Sequence, residues 1–378
     1  MRIKKVSFQN HNGYQLSAIM QLPADRHPVA CAIFAHVFTG NKNLKASRNV
    51  SRALTQNGIG VLRFDFTGLG ESEGDFADTT FTSNVEDILA AANFLEAQYE
   101  APEVLIGHSL GGAAVIFAAQ QLPSIKAVAT IGAPSEPEHV SHLLEDSLEK
   151  IQLEGKAKVN IGGQIFTIKK SFLDDLREKQ MFQVLKKMKK ALLVLHSPQD
   201  RIVEIENAAQ IYHAAFHPKS FITLDGADHM LTNKKEAAYA GEVIASWVSR
   251  YLDLPQREKL RTAQQVVVRL DDESGCTSEV LAGHHHFLAD EPEEVGGNDF
   301  GPDPYELLSA SLGACTAMTL RMYAKRKKWP LEEVTVHLNH AKKHYEDCMD
   351  CEEKNQKIDY FERHIELEGP LSEEQKQR

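Results

Sequence analysis

Ser109 lies in Gly107-His108-Ser109-Leu110-Gly111, a G-x-S-x-G pattern. A serine hydroxyl is a weak nucleophile until a base takes its proton and an acid orients that base. The pattern falls between a short apolar run, Val104 to Gly107, and a helix-like stretch that begins at the serine. There, glycines two before and two after the serine let backbone pass closely through a sharp turn. The turn lifts the hydroxyl above a sheet and sets a helix N-terminus beneath developing negative charge. Two partners follow in chain order. Asp200 comes after the apolar run 192–196, and His229 lies in Leu224-Asp-Gly-Ala-Asp-His-Met, after a further strand-like run. Both would sit at strand C-terminal ends, where open parallel sheets place their sites. Asp225 and Asp228 compete for the acid role but lie too near His229 in sequence for the usual geometry. The catalytic set is therefore read as Ser109, Asp200 and His229. An oxyanion needs two N–H donors. Leu110, after the serine, supplies one. The turn His36-Val37-Phe38-Thr39-Gly40 supplies the other, assigned to Phe38. His108 is read as a structural neighbour of the turn and not as a second base.

The elements that must position these residues alternate. Short apolar runs at 29–36, 59–65, 104–107, 126–132 and 191–197 read as strands buried on both faces. Helix patterns at 44–56, 83–98 and 109–121 lie between them. That rhythm predicts a parallel sheet with right-handed crossovers. The first two runs, around 3–8 and 16–22, are joined by Asn12-Gly13 and predict an antiparallel hairpin at the sheet edge. From 134 to 190 charged helical pieces surround one strand-like stretch at 159–168, which predicts a cap inserted over the serine. A closing helix is expected at about 235–252. The polar stretch from Asp253 marks a boundary, with a linker at 256–261. Beyond it the pattern changes: strands at 265–270 and 278–282, a Gly/Pro-rich loop at 296–304, a long helix at 306–327, and strands at 334–338 and 358–367.

Five cysteines complete the reactive inventory. Cys315 shares a helix face with Leu308, Leu312, Thr319 and Met322 at i, i+4, i+7 spacing. On pattern alone it reads as a small packed residue. Cys348 and Cys351 form a C-x-x-C with His340 and His344 upstream. Four such ligands could hold zinc. Neither half of the motif repeats and acidic residues crowd the loop, so the expectation is a hairpin with exposed thiols and no metal. His284-His285-His286 is internal and expected on a strand. Ser372-Glu-Glu-Gln375 reads as a capping box opening a helix. The chain ends three residues later, which suggests a C-terminus cut short.

Composition bounds the partners. The chain has 378 residues, 42% hydrophobic and 25% charged, enough for two cores. Its formal net charge is −11, of which residues 256–378 carry −9. An acidic C-terminal part repels phosphate backbones, so no nucleic-acid partner is expected. Arg321 to Lys328 is a basic run, read as the solvated last turn of the long helix. No apolar run approaches roughly 20 residues, so no membrane span is expected. An odd number of cysteines without a signal-peptide core points to the cytoplasm.

The segments Phe34–Gly40, Asp65-Phe-Thr-Gly-Leu-Gly-Glu-Ser72, Gly107–Gly112, Asp200 and Gly226–His229 resemble the α/β-hydrolase superfamily over about residues 1–253. The nearest branch is the small acyl esterases, including feruloyl-esterase-like and monoglyceride-lipase-like members. Val37 stands where those esterases usually carry glycine.

Residues 262–378 resemble the OsmC and organic hydroperoxide resistance family, on Pro304-Tyr-Glu-Leu-Leu-Ser-Ala-Ser-Leu-Gly-Ala-Cys315 followed by a helix. The resemblance implies an intertwined homodimer. It also implies a cysteine that attacks peroxide, a resolving cysteine, and an Arg and a Glu that hold the thiolate. Tyr305 stands where that family has its Glu, with Glu306 one position later, and no cysteine follows in the resolving place. The fold class expected is α/β, a doubly wound sheet with a small cap, followed by an α+β OsmC-like domain. The domains are set at 1–255, with the cap at about 134–190, and 262–378. The expected function is a serine hydrolase acting on a small-molecule ester or acyl substrate, with no cofactor, dimeric through the C-terminal domain. The rivals are a thiol peroxidase acting on organic hydroperoxides through Cys315, with Glu306 as its candidate partner, and a hydrolase-fold binding module without catalysis.

Overall fold

The computed structural model describes residues 2–23, 28–252, 260–270, 275–344 and 357–377. Contacts divide the chain into two units, Met1–Lys259 and Leu260–Arg378.

The first unit is built on an eight-stranded sheet. Its strands are β1 (Arg2–Gln9), β2 (Gln15–Leu22), β3 (Ala30–Ala35), β4 (Ile59–Phe64), β5 (Pro102–His108), β6 (Ala127–Ile131), β9 (Ala191–His196) and β10 (Lys219–Thr223). The spatial order is β1-β2-β4-β3-β5-β6-β9-β10. The β1–β2 hairpin is antiparallel and meets β4 antiparallel; all pairs from β4 to β10 are parallel. The central strands are continuous apolar runs because helices cover both faces. Helices α1 (Lys45–Gln56) and α8 (Lys234–Val248) cover one face with Val50, Leu54, Ile244 and Val248. On the other face lie α2 (Phe81–Gln98), α3 (Leu110–Ala119) and α7 (Glu206–Ala214), with Phe81, Ile88, Val115 and Ile211 inward. The strand order reverses between β3 and β5, which opens a crevice at their C-terminal ends. The turn after β3 and the turn after β5 both border it.

The stretch expected as a cap has more structure than its sequence suggests. A 3-10 segment (Pro137–Leu144) leads into α4 (Glu145–Glu154), a hairpin of β7 (Lys156–Ile161) and β8 (Gln164–Lys169), α5 (Lys170–Glu178) and α6 (Met181–Lys187). The single strand expected at 159–168 is this hairpin, turned at Gly162 and Gly163, both at positive φ. Two adjacent glycines reverse the chain, and burial alternates along the first arm, with Ala157 and Val159 buried. Asp175 binds the Thr82 N–H at 2.7 Å and its hydroxyl at 2.6 Å, tying α5 to the start of α2.

The second unit holds a three-stranded antiparallel sheet of β11 (Val266–Arg269), β12 (Ser278–Ala282) and β13 (His285–Ala289). A loop follows, then α9 (Pro304–Lys327), the antiparallel pair β14 (Glu333–His344) and β15 (Lys357–Glu368), and α10 (Glu373–Gln377). The loop is organised by buried Asp290, which accepts from the Thr277 hydroxyl at 2.8 Å and the Asn298 N–H at 3.1 Å. His284 lies in the turn and the strand begins at His285. Helix α9 opens with Asp303 and Glu306 in a capping box. The box read at Ser372 and Gln375 is also formed, with bonds of 2.8 and 3.3 Å. No helix among the described residues is long and apolar enough to cross a membrane.

Candidate active site

Ser109 follows β5 and opens α3 with φ 55° and ψ −125°. A serine in this left-handed region carries strain of order 1–3 kcal/mol, offset by the packing around it. The glycines of the motif show what that packing demands. A Cβ on Gly107 would meet the Gly111 carbonyl oxygen at 2.3 Å. One on Gly111 would meet the His36 carbonyl at 2.4 Å, and one on Gly112 the Ala133 side chain at 2.6 Å. The Ser109 turn is thus pressed against the end of β3, and only glycine lets backbone pass backbone there. The Ser109 N–H donates to the Ile131 carbonyl at 2.8 Å, tying the turn to β6.

The structure brings Ser109, His229 and Asp200 together. Ser109 Oγ lies 2.9 Å from His229 Nε2, and His229 Nδ1 lies 2.6 Å from Asp200 Oδ2. All three are buried, with Ser109 only 6% exposed. Asp200 follows β9, and its Oδ1 accepts the N–H groups of Ile202 and Val203 at 2.9 and 3.0 Å. Burial by itself would raise the Asp200 pKa. The bond and charge of His229, with the two N–H donors, outweigh burial and hold the carboxyl below its ordinary value. The rival acids point elsewhere. Asp228 binds the Thr232 N–H at 2.9 Å and its hydroxyl, and Asp225 lies 3.4 Å from the Thr223 hydroxyl. Gly132, after β6 at φ 54°, stands beside the pair. A Cβ there would come within 3.2 Å of Asp200 Oδ2 and 3.3 Å of His229 Nδ1.

Two further histidines support the site. His108 Nε2 lies 2.7 Å from the His229 carbonyl, and burial pushes its pKa down to about 3. His196 Nε2 donates to the Val203 carbonyl at 2.7 Å and lies 3.6 Å from Asp200 Oδ2. Its position at the end of β9, beside an acid four residues on, was the only signal for it in the sequence. The loops carrying Asp200 and His229 are joined to each other as well. The Ser197 hydroxyl donates to the Ala227 carbonyl at 2.6 Å, and the Gly226 N–H to Gln199 Oε1 at 2.7 Å.

The turn after β3 runs from Val37 to Gly40, closed by a Gly40 N–H to Val37 carbonyl bond of 3.0 Å. The positive φ falls at Thr39, at 57°, and not at Val37. The glycine that related esterases carry at Val37 is therefore not required here. At the first position of α3, the Leu110 N–H has no intrahelical acceptor. The Phe38 N–H donates to no acceptor among the described residues. The Phe38 ring is stacked on the cap's Phe172, with centroids 5.4 Å apart, and packs on Phe76 at 5.7 Å. Phe76 in turn meets Phe166 at 5.1 Å. The 137–187 segment and the turn after β3 thus share one aromatic cluster.

Among the described residues of one chain, Cys315 and Glu306 are not brought together. Cys315 is exposed on α9. The Glu306 carboxylate is engaged at the start of the same helix, accepting the Asp303 N–H at 3.0 Å. The two stand nine positions apart on the helix, about 14 Å along the axis. The expectation that Glu306 partners Cys315 is corrected: as the third residue of α9 it closes the capping box. Arg363, on β15, donates to the hydroxyl of Thr316, the residue after Cys315, at 2.8 Å. Tyr305, in the place of the family's Glu, stacks on His340 with centroids 4.0 Å apart. Cys348 and Cys351, and the C-x-x-C reading with them, lie outside the described residues.

A serine on a strained strand–turn–helix, backed by imidazole and carboxylate from the next strand ends of a mostly parallel sheet, defines the α/β-hydrolase class. Comparison with known proteins agrees. An esterase domain of a Rhodothermus marinus protein is 52% identical, with TM-score 0.57, covering 67% of this chain and all of that one. Residues 28–159 match the family model described as serine aminopeptidase, S33, and residues 296–378 match that of OsmC-like protein. Rat mitochondrial palmitoyl-protein thioesterase ABHD10 is 26% identical over 208 residues, 53% of this chain and 68% of its own. Est1E of Butyrivibrio proteoclasticus, solved with ferulic acid, is 20% identical with TM-score 0.54, covering 65% of this chain and 98% of that one, and shares the fold. The chain belongs to the α/β-hydrolase family, here joined to an OsmC-like domain.

Proposed function

We propose that this protein is a serine hydrolase that cleaves small carboxylic esters or related acyl compounds. One observation carries the reading: the continuous chain from Ser109 Oγ through His229 to Asp200, at 2.9 and 2.6 Å, in a domain 52% identical to an esterase domain.

The chemistry follows from the geometry. Ser109 Oγ attacks the acyl carbon while His229 Nε2 takes its proton. The carbonyl π bond opens to an oxyanion held by the N–H groups of Phe38 and Leu110. The C–O bond to the alcohol then breaks, and His229 returns the proton to the leaving alkoxide. Water, deprotonated by His229, attacks the acyl-serine. The C–Oγ bond breaks, the acid leaves, and Ser109 recovers its proton. Asp200 stays ionised, orients the imidazole and stabilises the imidazolium.

For the C-terminal unit, we propose assembly as a homodimer through α9. Only Gly313 and Ala324 of its 24 residues are buried, while Leu308, Met318 and Met322 stand exposed. A helix with so little fully buried leaves much of its apolar surface unpaired within its own unit.

The test is hydrolysis of p-nitrophenyl acetate and butyrate, with fluorophosphonate labelling mapped by mass. Ser109→Ala should cost on the order of 10⁴–10⁶ in kcat and abolish labelling with no loss of fold. Wild-type turnover in that variant, or labelling elsewhere, would reject the assignment.

A further inference from the structure

We infer that His36 is a positioning residue for the oxyanion hole, orienting the peptide between Val37 and Phe38 through a hydrogen bond from its own side chain. The inference rests on the reading of Ser109 as a nucleophile and of the Phe38 N–H as an oxyanion donor.

A trans peptide is planar, so its C=O and N–H point in opposite directions. The direction of the Phe38 N–H is therefore decided by what holds the Val37 carbonyl. Two donors hold it: His36 Nδ1 at 2.8 Å and the Gly40 N–H at 3.0 Å. The Phe38 N–H faces away from both and keeps no protein acceptor among the described residues. That is the state an oxyanion donor needs before substrate arrives, because a donor already satisfied must be released first.

The Gly40 bond alone is a weak guarantee. It closes a turn with Thr39 at φ 57°, a conformation a β-branched residue rarely adopts. Rotation of the 37–38 peptide would break that single bond. His36 opposes that rotation from outside the turn, and its ring is itself fixed. The Phe66 N–H points at Nε2, 3.4 Å away, so Nε2 is the acceptor and Nδ1 carries the hydrogen. The Phe66 ring packs edge-on at 4.8 Å, and His36 is 1% exposed. Burial keeps the imidazole neutral, down to a pKa of about 4, so the tautomer persists at working pH. With both ring nitrogens committed and no solvent access, His36 has no route to proton transfer. Its place is structural and specific: it joins the 65–66 loop to the oxyanion turn. The Lys42 N–H, bound to Asp65 Oδ1 at 2.6 Å, anchors the far side of the same turn to the same loop.

Three variants of the full chain test this. His36→Phe keeps the ring but loses the donor. His36→Asn places an N–H near Nδ1, and His36→Gln places one near Nε2. With p-nitrophenyl acetate, His36→Phe should lower kcat between about 10- and 100-fold with KM within about twofold, short of the 10²–10³ for a deleted donor. Binding of a trifluoromethyl ketone, which forms the oxyanion on Ser109, should weaken by the same factor as kcat/KM. The acid limb of the pH–rate profile should not move, since His229 is untouched. His36→Asn should stay within about threefold of wild type and exceed His36→Gln. Equal losses in the Asn and Gln variants, or wild-type kcat in the Phe variant, overturn the inference; the Asn–Gln comparison stands even if the Phe variant does not fold. A wild type inactive on esters and unlabelled by fluorophosphonate overturns the hydrolase reading instead. The positioning claim is then decided by crystal structures of the Phe and Asn variants. A Val37–Phe38 peptide unmoved in the Phe variant refutes it.

Discussion

His108 Nε2 donates to the backbone carbonyl of His229 across 2.7 Å, so the residue before the serine holds the loop that carries the imidazole. A carbonyl can only accept, so Nε2 carries the hydrogen and the ring is neutral. Burial keeps it so, with a pKa of about 3. A neutral ring there matters, because the two imidazoles lie 5.6 Å apart and a charged His108 would oppose the imidazolium that forms on His229.

Replacing His108 by Phe should therefore act through placement of His229. The variant leaves a buried carbonyl without its donor, at about 1–3 kcal/mol. We expect kcat to fall between about 10- and 100-fold, with KM little changed. His108→Gln, which can reach the same carbonyl, should recover most of it. Steady-state kinetics on short esters, with melting temperatures alongside, decide the matter. Equal loss in both variants would show that the bond is not what counts.

Phe172, stacked on Phe38, is the point at which a role of the cap in acyl selection can be tested. Leu173, Leu176, Met181 and Leu185 belong to the same buried cluster as α2 and α3, so removing the whole cap would open the core. A point change is the cleaner probe. Phe172→Ala vacates the ring stacked on Phe38 and should raise the octanoate-to-acetate ratio of kcat/KM by about tenfold. An unchanged ratio in a folded variant would remove the cap from substrate choice.

Acid should destabilise the hydrolase unit earlier than its carboxylates alone predict. His36 and His108 have folded pKa values of about 4 and about 3, against an ordinary 6.5. Between 6.5 and those values the unfolded chain binds more protons than the folded one, so stability rises with pH. The contribution is complete above pH 6.5 and is lost as pH falls towards 4. Asp200, whose folded pKa is lowered, adds a loss at still lower pH, below its ordinary 3.8. The urea midpoint should drop steadily from pH 7 to 4.5, with a shallower slope in His36→Asn. A flat profile would mean that the two imidazoles are solvated.

Met322 lies 72% exposed on α9. Light scattering should give twice the chain mass of 42.2 kDa for the wild type. Met322→Glu places a charge on the apolar face and should shift the protein to monomer, with ester hydrolysis retained. A monomeric wild type would end the dimer reading.

Much of this molecule is legible in local spacing. Buried strands declare themselves as unbroken apolar runs, and the serine turn by small residues between a run and a helix. Asp200 and His229 could be ordered because each follows a strand, and strand ends share one edge of a parallel sheet. Asp200 could also be set ahead of Asp225 and Asp228, because those two lie too near His229 in sequence. What holds the carboxylates in those places is tertiary: the 200–203 turn aims Asp200 inward, and Thr232 engages Asp228. Glu306 followed the reverse course: near the right place in the sequence, it was claimed by the start of its own helix. The 159–168 stretch looked like one strand because its reversal rests on two glycines that any loop could hold. The bonds of His36 and His108 were invisible for a related reason. His108 meets a carbonyl 121 residues on, and the His36 ring, bonded to the next residue's carbonyl, is fixed by the Phe66 N–H from another loop, so both depend on how turns far apart in the chain close on one another. Periodicity records which face a residue shows to the core. It carries no information about where a particular lone pair points.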